Sequence, residues 1–128
     1  MAATRAVGNH EHPQILVIED DGDVRLFMVL ALRDEGYEVN SAGNAGEALR
    51  LLQSRHYDLV LTDYGLPGTD GLALVAEAER KGLLQGTKVM MLTAFPWLAR
   101  DAHMPVLAKP IDFDELAGRL RTMLGAAA

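Results

Sequence analysis

Two short apolar runs that end in acidic residues constrain the fold of this chain more than any other feature. One run spans residues 15–18 and is followed by three acids at 19–21, and the other spans 59–62 and is followed by Asp63. Short apolar runs bounded by turn residues are typical of strands buried on both faces of a parallel sheet. Ligands of open α/β sheets bind beyond the carboxyl ends of such strands. The pattern therefore predicts an acidic site at one sheet edge, although a single Asp there also commonly starts a turn.

The rest of the chain alternates between strand-like and helix-like segments. Apolar runs predict three further strands, over 37–40, 87–93 and 105–108. Apolar residues at helical spacing predict four helices, over 24–35, 44–55, 71–80 and 113–124, with Asn44 and Asp112 as N-caps. Five short strands alternating with helices predict an α/β fold, a doubly wound parallel sheet with helices on both faces.

The composition is that of one globular domain. The chain has 128 residues, of which 49% are hydrophobic and 23% are charged, and this size and balance suit a single core. We expect that domain over 14–125, after a disordered lead at 1–13 and before a frayed end at 126–128. The formal net charge of −6 argues against a direct nucleic-acid surface, which would be basic.

Two absences from the sequence bear on the cellular location. The chain has no cysteine, which fits a reducing compartment. Residues 1–13 lack the apolar core of a signal peptide, and no apolar run is long enough to cross a membrane. A cytoplasmic location without membrane association is therefore expected.

Carboxylates gathered at one sheet edge need a cation. Two such charges repel each other by roughly 4 kcal/mol at 4 Å when the effective dielectric constant is 20. An oxygen-only ligand set, without His or Cys, favours a hard ion, and Mg²⁺ fits best. A carboxylate beside Mg²⁺ can attack phosphorus, which predicts an acyl phosphate on Asp63. Thr93 ends the predicted strand 87–93 and Lys109 follows the predicted strand 105–108, where both could bind the remaining phosphoryl oxygens.

Several motifs, taken together, resemble the receiver domain of a bacterial two-component response regulator. They are Ile15-Leu16-Val17-Ile18-Glu19-Asp20-Asp21, Leu59-Val60-Leu61-Thr62-Asp63 with Leu66-Pro67-Gly68 and Asp70-Gly71, Met91-Leu92-Thr93-Ala94, and Ala108-Lys109-Pro110. They extend over nearly the whole chain from Gln14 onward, and their shared order is far more specific than any one motif. The resemblance implies a flavodoxin-like sheet with the strand order 2-1-3-4-5. It also implies Mg²⁺ as the cofactor.

The resemblance assigns roles to the acids by their positions. Asp63 would accept the phosphoryl group, and Asp20 and Asp63 would bind Mg²⁺ directly. Glu19 would bind the ion through a water molecule, and the Gly65 carbonyl would be a further ligand.

The same resemblance makes Thr93 the switch hydroxyl and Lys109 the phosphoryl contact, and it implies a cis bond before Pro110. Two departures accompany these matches. The place of the family's switching aromatic ring, three residues before the lysine, is held by Val106. The segment 95–103 is short and has a proline near its start, so the helix usually found before the fifth strand is expected to be reduced to about one turn or lost.

Two aromatic residues in this short segment have two conceivable roles. Phe95 and Trp97 either form an exposed patch for a partner or cover the sheet where the helix is missing, and the usual burial of large aromatics favours the cover.

Phe95 also follows Thr93 by two positions, as Gly65 follows Asp63, and both places flank the path of an attacking water in the family. Gly65 cannot orient that water and Phe95 would shield the phosphoryl group, which predicts slow self-dephosphorylation.

The first predicted helix carries two apolar stripes. Helical spacing directs one stripe toward the sheet, namely Leu26, Val29 and Leu30. The second stripe is left for a wide core or for a partner, and consists of Val24, Phe27, Met28 and Ala31. Both alternatives stay open for this stripe. In a receiver domain, a phosphoryl donor would dock on Val24, Phe27, Met28, Pro110 and Ile111.

Different classes of function fit these features. The first is a stand-alone receiver that takes a phosphoryl group from a phosphohistidine on a sensor histidine kinase or phosphotransfer protein, and signals through altered binding to a protein target. The second is a small Mg²⁺-dependent phosphohydrolase, which needs a general acid and a substrate-covering cap that the sequence does not offer. A third is a pseudo-receiver that binds partners without phosphorylation, which the intact acidic, hydroxyl and lysine positions disfavour.

Overall fold

The computed structural model describes residues 12–99 and 104–125. Its main element is a five-stranded parallel sheet in the order β2-β1-β3-β4-β5, which confirms the predicted topology. The strands are β1 (Gln14–Ile18), β2 (Glu38–Ala42), β3 (Leu59–Asp63), β4 (Lys88–Thr93) and β5 (Val106–Ala108). Most of the predicted lead, residues 1–11, and the predicted frayed end at 126–128 lie outside the described residues.

The central strands are buried on both faces. Every residue of β1 and β3 is buried, as their unbroken apolar runs predict. The two strands pair in parallel, with Ile15 opposite Leu59 and Ile18 opposite Thr62. Because all the strands run in the same direction, their carboxyl ends meet at one edge of the sheet.

Four helices flank the sheet in the described part of the chain: α1 (Gly22–Asp34), α2 (Ala45–Ser54), α3 (Gly71–Arg80) and α4 (Phe113–Leu124). Each follows an Asp or Asn whose side chain accepts a hydrogen bond from a first-turn N–H, which satisfies donors that lack a partner within the helix. The caps at Asn44 and Asp112 confirm the prediction, whereas those at Asp21 and Asp70 were not predicted. None of these described helices is long and apolar enough to span a membrane.

The two faces of the sheet carry separate hydrophobic cores. One core joins the sheet to α1 and α4 through side chains that include Ile15, Val17, Leu32, Leu116 and Leu120. The other joins it to α2 and α3 through side chains that include Leu16, Ile18, Leu52, Leu74 and Ala78. This arrangement confirms the predicted helices on both faces.

The face that α1 turns toward the sheet differs from the predicted one. Met28, Val29 and Leu32 are buried, at 1%, 7% and 0% exposure. Leu26 and Leu30 are more than half exposed, so the prediction that they face the sheet was wrong. Met28 and Leu32 lie one turn apart on the same helix face and point into the core. The apolar stretch of this helix has no polar residue to mark its outer side, which is why spacing alone misplaced it.

The connection between β4 and β5 contains one short 3₁₀ helix, Pro96–Ala99, among its described residues. This is the reduced helix that the sequence predicts. The remainder of the connection, residues 100–103, lies outside the described residues.

The aromatic residues of this connection do not cover the sheet. Phe95 is 52% exposed and Trp97 is 60% exposed, so the prediction of a cover was wrong. Leu92 and Leu107 belong to the core between the sheet, α1 and α4. On the other face of β5, Val106 is only half-buried and Ala108 is exposed, so the two rings leave apolar surface at the end of this strand uncovered.

Candidate functional site

The carboxyl edge of the sheet gathers the residues that the sequence singled out. Asp63 ends β3 and Thr93 ends β4, while Glu19 follows β1 and Lys109 follows β5. A pocket of about 400 Å³ opens at this edge. Its lining consists of Asp20, Asp63, Gly65, Thr93, Phe95 and Lys109, together with Tyr64, Leu92 and Ala94, to which the sequence analysis assigned no role.

Three acids form a compact cluster in and beside this pocket. One carboxylate oxygen from each of Glu19, Asp20 and Asp63 lies within 4.8 Å of the other two. Glu19 and Asp63 are nearly fully buried, at 2% and 3% exposure, whereas Asp20 is exposed. The ligand atoms are all oxygens, which fits a hard divalent ion such as Mg²⁺.

The Lys109 ammonium lies beside the two buried carboxylates. Its Nζ is 2.6 Å from Asp63 Oδ1 and 3.0 Å from Glu19 Oε1. The contact with Asp63 is an ion pair without hydrogen-bond alignment, because Oδ1 has no hydrogen-bond partner among the described residues. This buried oxygen is paired with the Lys109 ammonium but has no aligned hydrogen-bond donor, so it keeps a lone pair that a cation could bind. The bond before Pro110 is cis, which confirms the prediction.

The pKa values of these groups follow from burial and from their mutual contacts. Burial raises the pKa of Asp63 to about 7, with Glu19 acting in the same direction and Lys109 against it. Burial also acts to raise the pKa of Glu19, but hydrogen bonds with Asp63, the Asp21 backbone and Lys109 outweigh it and lower that pKa. Burial acts to lower the pKa of Lys109, yet the two carboxylates raise it. Without a divalent cation, Asp63 therefore keeps its proton to a higher pH than an ordinary aspartic acid does.

The loop after β1 is organised by hydrogen bonds that no sequence motif indicated. The Asp21 carboxylate caps α1 by accepting from the backbone N–H groups of Asp23 and Val24. The Asp21 N–H donates to Glu19 Oε2 at 3.0 Å, and Arg25 donates to the Glu19 carbonyl at 2.8 Å. These bonds hold the Glu19 carboxylate in place at the site.

Gly71, the first residue of α3, packs directly against the backbone of Asp63. Its N–H donates to the Tyr64 carbonyl at 2.5 Å. A Cβ at this position would overlap the Asp63 carbonyl oxygen and lie 2.7 Å from Met91 Sδ. Only glycine permits this close approach, and it fixes the position of the end of β3.

Thr93 and Gly65 also line the pocket. Thr93 is 5% exposed and its Oγ1 accepts a hydrogen bond from the Phe95 N–H at 3.0 Å. Gly65 begins a short hairpin in which Gly65–Leu66 pairs with Thr69–Asp70.

A second pocket of about 370 Å³ adjoins the first through Lys109. Its lining contains the predicted docking residues Val24, Phe27, Met28, Pro110 and Ile111, together with Asp23. Met28 is a core residue at 1% exposure, so it can contribute little surface. Phe27 is 57% exposed, and its ring meets that of Phe113 edge to face, with the centroids 6.3 Å apart.

The fold and the site together define a class of protein. The sheet gathers a buried Asp, two more acids, a Thr and a Lys at its carboxyl edge, which is where doubly wound α/β proteins bind their ligands. The family model of the response regulator receiver domain matches residues 15–121, and the chain belongs to this family. Receiver domains of two-component response regulators are signalling domains that receive a phosphoryl group from histidine kinases and bind Mg²⁺ at an acidic pocket.

Curated relatives are response regulators of bacteria. The receiver protein CpdR of Brucella abortus is 36% identical over 122 residues, which cover 89% of this chain and 98% of CpdR. The transcriptional regulatory protein PmrA of Pectobacterium parmentieri is 38% identical over 117 residues, covering 87% of this chain and 52% of PmrA. The chain thus spans about half the length of PmrA and nearly all of CpdR.

Solved receiver structures have the same fold. The receiver domain of the hybrid histidine kinase CckA is 34% identical with a TM-score of 0.76, over 87% of this chain and 98% of that one. The response regulator TrrA of Thermotoga maritima, solved in complex with Mg(2+)-BeF, is 33% identical with a TM-score of 0.77, over 88% of this chain and 99% of that one.

Proposed function

We propose that this chain takes a phosphoryl group from a phosphohistidine onto Asp63 in a Mg²⁺-dependent reaction, and signals by changing its affinity for a protein target. The observation that carries this proposal is the position of the Asp63 carboxylate, buried beside two other acids and 2.6 Å from the Lys109 ammonium. An acid that merely starts a turn needs none of these neighbours.

The acidic cluster would hold the metal ion. Asp20, Asp63 and the Gly65 carbonyl would bind Mg²⁺ directly, and Glu19 would bind it through water. Bound Mg²⁺ supplies positive charge that neutralises the phosphoryl oxygens during transfer. The Mg(2+)-BeF complex of the related TrrA supports this choice of ion.

The transfer exchanges one bond to phosphorus for another. An Asp63 carboxylate oxygen forms a bond to phosphorus while the bond to the donor histidine nitrogen breaks, and that nitrogen keeps the electron pair and takes up a proton. The Lys109 ammonium would bind one phosphoryl oxygen as a point charge, and the Thr93 hydroxyl would donate a hydrogen bond to another. The chain would catalyse at most its own phosphorylation and dephosphorylation.

The second pocket, which we call the docking groove, lies beside the phosphoacceptor site and is the proposed docking place for the donor. Its exposed apolar residues, Val24 and Phe27, share the groove with Lys109 of the phosphoacceptor site. A sensor histidine kinase or a histidine phosphotransfer protein would dock there, in the cytoplasm, and an unidentified protein would be the target. The net charge of −6 disfavours direct contact with nucleic acid.

The lifetime of the acyl phosphate would be long. Phe95 lines the pocket, and Gly65 offers no side chain to orient a water molecule. Phe95→Ala should therefore lose its phosphoryl group faster than the parent, measured as first-order decay of the adduct after donor removal. Faster decay in the parent than in Phe95→Ala would contradict the shielding role.

Intact-protein mass spectrometry tests the proposal. The parent, incubated with Mg²⁺ and a small acyl phosphate, should gain a single phosphoryl adduct, and both chelation of the metal and the Asp63→Asn substitution should abolish it. A parent that is folded but gains no adduct at saturating donor would contradict the proposal.

A further inference from the structure

A polar pocket of about 290 Å³ lies at the opposite end of the sheet from the phosphoacceptor pocket. Its lining includes Gln14, the first residue of β1, and Glu38, the first residue of β2. Glu19 of the phosphoacceptor site comes five residues after Gln14, which in an extended strand corresponds to about 16 Å. The two pockets are therefore separate.

Two arginines reach this polar pocket from opposite faces of the sheet. Arg33 belongs to α1, which packs on one face, and Arg55 follows α2, which packs on the other. Arg33 donates to the Val39 carbonyl at 2.9 Å, and Arg55 donates to Gln14 Oε1 at 2.9 Å. A guanidinium group carries five N–H donors, and Arg55 Nε is buried without a partner among the described residues. Each arginine is thus held in place while it keeps donors for a ligand.

The same pocket is lined by other groups that can donate hydrogen bonds. Gln14 is 2% exposed, and its Nε2 has no partner within the described part of the chain. The Tyr37 hydroxyl is also buried without a partner there. Val39 lies on the edge strand β2 with its carbonyl bonded to Arg33, so its N–H points to the same open edge. Buried donors without acceptors are costly, and an anion would supply acceptors.

We propose that this pocket binds a phosphate group, of either free phosphate or a small phosphate monoester. Its charge favours an anion, since two arginines outweigh Glu38, the acidic residue of the described lining. Its donors come from both faces of the sheet and from the edge between them, which suits tetrahedral phosphate oxygens better than a planar carboxylate. Guanidinium groups form strong, charge-assisted hydrogen bonds with such oxygens.

The size of the pocket restricts the ligand. Pockets for small molecules start at about 300 Å³, and this one lies at that lower limit. A phosphate with a small organic group would fill it. The inference does not depend on phosphorylation of Asp63, because the two pockets lie at opposite ends of the sheet.

A phosphate titration of the full chain tests this site. It is followed in ¹H–¹⁵N NMR spectra at constant ionic strength, without Mg²⁺ or a phosphoryl donor. Inorganic phosphate should shift the Val39 amide and Arg55 Nε–H signals saturably. Arg55→Gln should weaken binding roughly tenfold, as expected when a charge-assisted bond is lost. Arg50→Gln is the matched control and should bind like the parent, because Arg50 is exposed on α2 outside the pocket.

A second variant keeps the test decisive if Arg55→Gln misfolds. Arg33→Lys retains the charge but loses the planar fork, so it should also bind phosphate more weakly than the parent. Ribose 5-phosphate, titrated in the same way, distinguishes the two sources of the phosphate group. Tighter binding than inorganic phosphate would indicate a monoester, and equal or weaker binding would indicate free phosphate.

Four results would overturn the proposal. The first is a folded parent that shows no saturable shifts at millimolar phosphate. The second is unchanged phosphate affinity in a folded Arg55→Gln or Arg33→Lys variant. The third is acetate binding as tight as phosphate binding, which would make the site a carboxylate site. The fourth is a set of shifts confined to the surroundings of Lys109, which would place the anion in the phosphoacceptor pocket.

Discussion

The phosphoacceptor pocket and the segment that follows β4 lie side by side, but different interactions hold them in place. In the pocket, the Glu19 and Asp63 carboxylates are buried, and Lys109 lies within 3.0 Å of both. In the segment 95–98, the large apolar side chains of Phe95, Trp97 and Leu98 are about half exposed, on one short helix or just before it. The first region is fixed by strand topology and dense packing, whereas the second depends on a few local contacts. Substitutions should therefore cost more stability in the first region than in the second.

The largest contrast is expected between Leu92→Ala and Trp97→Ala. Leu92 is fully buried in β4, so its truncation should lower the free energy of unfolding by about 2–5 kcal/mol. Trp97 is 60% exposed, so its truncation should cost less than about 1 kcal/mol. Denaturant unfolding measures both values. Equal losses would show that Trp97 belongs to the core.

Gly71→Ala should perturb the pocket through the backbone. The added methyl group would overlap the Asp63 carbonyl oxygen, so we expect a loss of about 1–3 kcal/mol in stability and weaker Mg²⁺ binding. Gly118→Ala is the matched control, because its Cβ would meet nothing closer than 3.8 Å. Thermal unfolding and a calorimetric Mg²⁺ titration measure the two effects. Unchanged Mg²⁺ affinity in a destabilised Gly71→Ala would show that this contact does not position the acid.

Stability without divalent cations should fall as the pH rises toward 7. The pKa of Asp63 is about 7 in the folded chain against an ordinary 3.8, so between these values the folded chain holds a proton that the unfolded chain has released. This contribution is fully present below the ordinary pKa and is lost through pH 7, with a slope of at most about 1.4 kcal/mol per pH unit. The lowered pKa of Glu19 acts only at more acidic pH, where it makes stability fall with added acid.

Urea unfolding between pH 5 and 8, in the presence of a chelator, measures this slope. Asp63→Asn removes the titrating group and should flatten the dependence. An equal slope in both proteins would assign the proton to another group.

The smallest effect on stability is expected at the docking groove. Val24 lies in the groove and Leu26 lies outside it on the same helix, and both are exposed. Val24→Asp should slow transfer from a cognate donor protein roughly fivefold, corresponding to about 1 kcal/mol at one docking contact, without slowing phosphorylation by a small acyl phosphate. Leu26→Asp should change neither rate. Equal slowing of Val24→Asp with both donors would rule out a docking role.

The parts of the molecule that the sequence predicted are those fixed by strand pattern. Unbroken apolar runs placed β1 and β3 in the buried centre, and parallel topology then brought Asp63, Thr93 and Lys109 to one edge. The gathering of these side chains follows from where each strand ends, so it could be predicted without knowing any contact.

The parts that the sequence did not predict depend on contacts between distant residues. The exposure of Leu26 and Leu30 depends on which face α1 turns toward the sheet. A continuous apolar stretch does not specify that face. The exposure of Trp97 depends on where the short helix Pro96–Ala99 lies relative to the sheet, and no local sequence pattern specifies that position. The contact of Arg25 with the Glu19 carbonyl likewise exists only once the loop has folded.

Reductive trapping of the phosphorylated chain tests the central claim most directly. An acyl phosphate on an aspartate is reduced by borohydride to homoserine, and peptide mass mapping then identifies the modified position. The account predicts homoserine at position 63 alone, and only in samples that contained both Mg²⁺ and a phosphoryl donor. Homoserine at another acid, or a phosphoryl group that resists this reduction, would contradict Asp63 as the phosphoacceptor.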